Sequence, residues 1–367
     1  MIDFRYHIVS LIAVFMALAV GIVIGAGPLR DYLADELSGQ VDQLRVEKEE
    51  QRIALEESEA TAEQQSEFIS GAAPALLSDT LTDRTVAVVQ LPEADPDVVE
   101  AVSERLEESG ASIAARAALT ETWTDPGQRA FRSGIAGNIA AYLNPQPADD
   151  AAAEQTLGAA LGQALTLRDP DNLSTSSTEA QAMYDLLISS ELIEEISEPS
   201  GPAYATVVIG DAQAPANLDT AAEMNTVVVS TMEGLVDTGE GNVLAAGGDQ
   251  EGDLLAEVRS TDSINERLTT VDTIDEVAGQ VTVPAALAAD IAGNTGAFGL
   301  QESAAAPFPH PVSLPGTDPG EFAPGSPDTP PEDDEGSDGG ADGAGDNDEG
   351  SDGGADGAQD EDAGDVQ

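Results

Sequence analysis

The chain reads as an α/β protein held at a membrane: an N-terminal single transmembrane helix, a coiled-coil stalk, a layered α/β domain with a mostly parallel sheet, and a disordered acidic tail. Three observations predict this. Residues 8–27, IVSLIAVFMALAVGIVIGAG, carry no charge and one polar side chain, Ser10. From Thr82 to Gly299, short apolar runs alternate with stretches of helical spacing. Beyond residue 300 that patterning stops and Pro, Gly and acidic residues take over.

The apolar run follows a short N-terminal segment, residues 1–7, that holds Asp3, Arg5 and His7. At about 1.5 Å per residue it makes a helix of roughly 30 Å, the thickness of a bilayer's hydrocarbon core. A cleaved signal peptide is the rival reading. Its apolar region runs to only about 7–15 residues, and its cleavage site needs a small-x-small pair. Here the best such pair, Gly25 and Gly27, precedes Pro28. A retained anchor therefore fits better. Arg5 on one side and Arg30 among acids on the other bias the orientation only slightly. The short N-terminus favours N-in, C-out, which places the bulk of the chain outside the cytoplasm. Ala17, Gly21 and Gly25 recur every fourth residue, a spacing that lets two membrane helices approach closely.

Residues 29–70 are helical in composition, with one Gly and no Pro. Leu37, Val41, Leu44, Lys48, Gln51, Leu55, Ser58, Ala62 and Ile69 fall on one heptad a/d frame, apolar in its first half. This predicts a coiled-coil stalk and a homo-oligomer through the transmembrane helix and stalk; a single solvated helix is the plainer alternative. Gly71–Pro74 is expected to end the helix.

The α/β domain is placed at 82–299. Thr85–Leu91 reads as a strand buried on both faces, Asp95–Ser109 as a helix stopped by Gly110, and Ala111–Ala117 as a second strand. That β-α-β unit implies a parallel pair with a right-handed crossover. Helices are expected at Thr124–Leu143, Ala151–Leu165 and Thr178–Leu192. Strands follow at Ala205–Gly210, Thr226–Ser230 and Asn242–Ala246, then a helix at Leu254–Arg259. Thr269–Val271 and Val281–Val283 are predicted strands, and Pro284–Ile291 a short helix with Pro in its first turn. The tail, 300–367, contains Glu335–Asp348 nearly repeated by Glu349–Asp362, a sequence with no apolar face. It lacks the apolar position of calcium-binding β-roll repeats.

The formal charge is −57, and residues 1–316 alone carry −39, so the acidity belongs to the folded part as well as the tail. Nucleic acid and anionic lipid are poor partners for such a surface, and no nucleic-acid partner is expected. Twelve of the 13 bases are Arg, with Lys48 the exception. The spread of acids suits a salt-rich interior or habitat better than a surface that collects cations weakly, and the Arg bias suits either salt adaptation or a high-GC genome. No cysteine is present, which removes disulfides, thiolate metal sites and cysteine nucleophiles.

Catalytic machinery is not legible. The two histidines, His7 and His310, sit at the membrane boundary and in the Pro-rich tail. The turn after the first strand, Leu91–Pro96, lacks the glycines of a phosphate loop. Gly210-Asp211 and Gly247-Gly248-Asp249 stand at predicted strand ends, where open α/β sheets bind ligands, but they are also ordinary turn chemistry. Copper favours Cys, Met or His. No two methionines are closely spaced; Met183, Met224 and Met232 are those the domain could bring together. No catalytic or cofactor-binding residue is assigned, and the metal ligands stay unknown.

The opening IDFRYHIVSLIAVFMALAVGIVIGAGPL resembles the start of the actinobacterial copper-transporter family, the MctB-like proteins. The segments DRTVAVVQLPEADPDVVEAV, YATVVIGDA, GNVLAAGGD and TVDTIDEVAGQVTVPAALAADIAGNTGAFG continue the resemblance in order, to Gly299. It implies a membrane protein of copper homeostasis and resistance, a pore-forming efflux component of the outer envelope, with copper as transported ion rather than cofactor. The residues themselves supply neither a pore nor a ligand motif. The expected function is thus copper transport without enzymatic activity. The alternative is a cell-envelope scaffold that acts through coiled-coil oligomerisation and an envelope protein partner.

Overall fold

The computed structural model describes residues 4–316 apart from 27, 93, 149 and 212–216, and of residues 26–39 only the backbone. The acidic repeats expected to be disordered lie outside the described residues. Helix α1 (Phe4–Ala26) is apolar along its length, and Phe4–Gly25 is long and apolar enough to cross a membrane. Its large side chains face outward, Phe15 and Val23 among them. Helix α2 (Pro28–Leu77) follows. Residues 40–65 of α2 are exposed on all sides, and Arg45–Asp42 and Arg52–Glu49 ion pairs lie along it at 3.0 and 2.7 Å.

The predicted break at Gly71–Pro74 is wrong: α2 runs through Pro74 to Leu77. Pro74 forfeits a bond to the preceding turn, but Ser78 N–H still donates to the Pro74 carbonyl at 3.1 Å. Ala73 and Leu77, both fully buried, pack on Val281 and Ala285. Burying one leucine is worth about 1.5–3 kcal/mol. A mid-helix proline costs roughly 3 kcal/mol, so tertiary packing offsets the break.

The domain contains β1 (Thr85–Gln90), α3 (Pro96–Glu108), β2 (Ser112–Leu119), the single turn α4 (Glu121–Thr124), α5 (Arg129–Ile139) and α6 (Ala153–Thr166). A hairpin, β3 (Arg168–Asp169) and β4 (Asn172–Ser176), leads to α7 (Thr178–Ser189) and β5 (Ile193–Ser197). Then come β6 (Ala205–Ile209), α8 (Leu218–Leu235), β7 (Gly241–Ala245), α9 (Leu254–Ser260), β8 (Thr269–Val271), α10 (Val277–Ile291) and β9 (Ala297–Phe298). Seven strands form one sheet in the order β5-β2-β1-β6-β7-β8-β9, parallel except for β5. The register sets Val88 beside Val207 and Val207 beside Val243. Side chains alternate between two cores: Val89, Val208 and Leu244 face α6 and α8, whereas Val88, Val207 and Val243 face α3 and α10. The expected β-α-β unit is thus present, with α3 capped by Asp95, whose carboxylate accepts from Asp97 N–H at 2.9 Å.

Several expected elements differ. Thr226–Ser230 is not a strand; it lies inside α8. Its β-branched run suggested extended chain, but Val227, Val228, Thr231, Met232 and Leu235 are buried at helical spacing. Val281–Val283 is likewise not a strand, and Pro284 does not start a helix; both lie within α10. Residues 281–289 of α10 are all buried, so it has no polar face to reveal its period. The single helix expected over Thr124–Leu143 is interrupted where Asp125 and Pro126 start a new turn. The hairpin β3–β4, the antiparallel edge β5 and the two-residue β9 were not anticipated. The chain also stays packed beyond Gly299: Phe298 bridges Ala306, and the Pro315 carbonyl accepts from Arg84 Nη2 at 3.1 Å.

Charged groups pin the ends of the sheet. Arg259, nearly buried, lies 2.9 Å from the fully buried Asp272 and also donates to Ser303 Oγ and the Phe298 carbonyl. Arg84 Nε sits 2.9 Å from Glu240, out of line for a hydrogen bond, with Arg168 stacked 3.6 Å over the Tyr204 ring. Helices α6 and α8 touch backbone to backbone. A Cβ on Gly158 would stand 2.0 Å from the Thr231 carbonyl oxygen, and one on Gly234 1.9 Å from that of Gln155. Gly158→Leu should therefore cost about 3 kcal/mol or more. Urea unfolding of the full-length protein followed by its single tryptophan, buried Trp123, checks this.

Burial raises the Asp290 carboxyl above the ordinary carboxylate range, despite bonds from Thr269, Asn242 and Thr295. A raised folded pKa contributes stability below the unfolded pKa that is lost as pH rises through the folded one. Asp290→Asn should consequently gain on the parent protein as pH increases from 4 to 7. Denaturant unfolding at stepped pH measures the difference, and a loss with rising pH would contradict the assignment.

Candidate functional site

Chain order in the sheet reverses between β1 and β6: β1 leads to β2 on one side, and β6 leads through β7 and β8 to β9 on the other. Such a switch leaves a crevice beyond the carboxyl ends of the flanking strands. The structure has a cleft of about 550 Å³ there. Leu91 and Pro92 follow β1, Asp211 follows β6, and Ala246, Gly247 and Gly248 follow β7. The first turns of α8 supply Asn217, Thr220 and Met224, and the start of α9 supplies Asp253 and Leu254. Thr124 of α4 completes one wall, next to Trp123, whose indole N–H donates to Thr231 Oγ1 at 2.9 Å.

Local bonding fixes this geometry. Gly210 N–H donates to the Ala245 carbonyl and Gly247 N–H to the Asp211 carbonyl, each at 2.8 Å, which ties the β6 and β7 turns together. Asn217 caps α8: its Oδ1 accepts from Asp219 N–H at 3.0 Å and Thr220 N–H at 3.3 Å. Asp253 Oδ2 accepts from Gln250 N–H at 2.7 Å, and Asn225 Nδ2 donates to the Gly252 carbonyl at 2.9 Å. A Cβ on Gly248 would fall 2.7 Å from Asp253 Oδ2, so glycine permits this close turn.

Of the strand-end turns singled out in the sequence, Asp211, Gly247 and Gly248 converge on the cleft. Asp249 does not line it. Its carboxylate accepts from Ser303 N–H at 2.8 Å, and that bond holds its pKa below the usual range. The described methionines fall in three environments. Met183 and Met232 are buried in the apolar core, Met16 faces outward from α1, and Met224 lines the cleft. His7 and His310 are exposed. Among the described residues, no three His, Cys, Asp or Glu side chains converge as a metal site. Asn217, Thr220, Asn225 and Asp253 escaped the sequence reading. An Asn-Leu-Asp start ahead of an apolar run was the available signal for Asn217, hidden by the strand assigned to Thr226–Ser230.

Comparison with known proteins addresses the whole architecture. The model of the MctB family, described as copper transport outer membrane proteins, matches residues 1–309. The chain belongs to this family. The match extends past Gly299, in keeping with the packed segment that follows β9. The copper transporters MctB of Mycobacterium bovis and Mycobacterium tuberculosis are each 28% identical to it over 306 residues, 78% of this chain and 92% of theirs. That of Mycobacterium leprae is 30% identical over 125 residues, 34% of this chain and 39% of its own.

The cleft wall depends on the Asn217 cap. Asn217→Ala should lower stability by about 1 kcal/mol and speed amide exchange at Asp219 and Thr220, with β6 unchanged. Hydrogen exchange read by NMR or mass spectrometry checks both effects.

Proposed function

We propose that this protein is a membrane-anchored part of a copper efflux route, serving copper homeostasis and resistance as a non-enzymatic homo-oligomer. The observation that carries this reading is the family match over residues 1–309, which takes in the apolar helix, the long helix and the whole sheet. In this reading α1 spans the bilayer with its N-terminus inside, and the α/β domain stands in the envelope outside the cytoplasm. One helix encloses no channel, so an ion crosses through several copies or through a partner. Val41, Leu44 and Leu55, exposed by 44, 63 and 58%, supply an apolar seam for a second copy. Gly21 and Gly25 have open space around them for a close helix crossing.

Copper is then cargo, with no resident cofactor. Cu(I) favours several soft ligands, and the cleft offers one thioether, Met224. A single soft ligand suits brief contact rather than storage. A second reading, a cell-envelope scaffold with a protein partner, is favoured by the same exposed seam, because a coiled coil alone positions domains without moving an ion.

Deleting the gene and challenging cells with copper separates the two. Efflux predicts copper sensitivity and several-fold higher cell copper by mass spectrometry, restored by the intact gene. A wall or shape defect with unchanged cell copper would replace transport by scaffolding.

A further inference from the structure

Beyond β9 the chain forms a strap that runs from one end of the sheet to the other. Gly299, with a φ of +133°, turns it over the fully buried Asp272, and a Cβ there would stand 2.0 Å from Asp272 Oδ1. That oxygen accepts from Leu300 N–H at 2.7 Å and from Gln301 N–H at 3.2 Å. Ser303 is held twice more: its N–H donates to Asp249 Oδ2 at 2.8 Å, and Arg259 Nη1 donates to its hydroxyl at 2.7 Å. At the far end, beside the start of β1, Arg84 Nη2 donates to the Pro315 carbonyl at 3.1 Å.

Between these anchors the strap is held by side chains. Pro307, Pro309 and Pro311 have no N–H to give, and among the described residues 307–314 make no backbone–backbone hydrogen bond. Val312 and Leu314 pack on the core between the sheet and helices α3 and α10. Phe308 packs on a different cluster, that of Ala73, Leu77, Val281 and Ala285, which joins α2 to α10. A segment with apolar contacts and few backbone bonds opens at lower cost than the strands it crosses. When it opens, Phe308 leaves the joint, and that joint contains Pro74 in the last turn of α2.

We propose that residues 299–315 are a clasp: closed, they hold α2 rigidly to the α/β domain, and opened, they leave Pro74 as a hinge between the two. The strap and residues 70–77 form one unit that opens before the sheet unfolds. The assignment is independent of copper transport, because it rests on contacts within a single copy.

Hydrogen exchange read by mass spectrometry on the full-length protein in detergent tests it. Leu314→Asp disturbs the strap at a position outside the α2 cluster. It should speed exchange over 70–77 by at least about tenfold, as should Phe308→Ala. Exchange over β6 and the fluorescence of Trp123 should stay as in the parent protein. His310→Ala, at an exposed position on the strap, should change nothing. If Leu314→Asp alters Trp123 fluorescence, Leu314→Ala takes its place, with the same direction expected. Faster exchange confined to the strap, with 70–77 unchanged in the Leu314 variant, would overturn the proposal. So would exchange over β6 and 70–77 rising together.

Discussion

The contact of Ala73 and Leu77 with Val281 and Ala285 is what the architecture depends on. It seats the last turns of a 50-residue helix inside the α/β domain, against the helix that also covers β7 and β8. Without it, Pro74 would be a hinge, and the long helix and the sheet would move separately. With it, whatever pairs the exposed part of α2 also orients the domain. The long helix and the sheet are therefore one mechanical system, joined at a point where a sequence rule predicts a break.

The sheet obeys a second constraint. Its inner strands β6, β7 and β8 are buried on both faces, so polar chemistry is pushed to their carboxyl ends. There the reversal between β1 and β6 opens the cleft, and short turns at Gly210 and Gly247 set its floor. At the opposite ends, half-buried Arg168 and Tyr204 lie beside the buried side chains of Arg84 and Glu240, and desolvation raises the Glu240 carboxyl. Removing either partner of such a pair would leave a buried charge, typically a loss of about 3–5 kcal/mol. The same reasoning applies to Arg132, fully buried, whose Nε donates to Glu154 at 2.9 Å.

Much of this was legible in the residues. The apolar run 8–27 had no alternative period to hide it. The β1–α3–β2 unit announced itself through TVAVVQ, the Asp95-Pro96 start and Gly110. Failures cluster where tertiary packing overrides local preference. Val227–Val229 and Val281–Val283 are β-branched, yet they lie in helices because their neighbours demand it: α8 crosses α6 at Gly158 and Gly234, and α10 is buried around its middle. Edge strand β5 (IEEIS) was invisible because four of its five residues are exposed, leaving no apolar run. The cleft was half legible. Gly210-Asp211 and Gly247-Gly248 marked the strand ends, but the part built by α8 required knowing that α8 is a helix.

In the proposed efflux route one membrane-crossing helix acts only through assembly, so pairing along α2 is its central claim. The chain has no cysteine, which makes site-directed disulfides unambiguous. Oxidising native membranes that carry Leu44→Cys, on the seam, and Val46→Cys, off it, is the most direct measurement. The account predicts a covalent dimer from Leu44→Cys in high yield and little from Val46→Cys. Equal yields, or monomer from both, would contradict a paired α2.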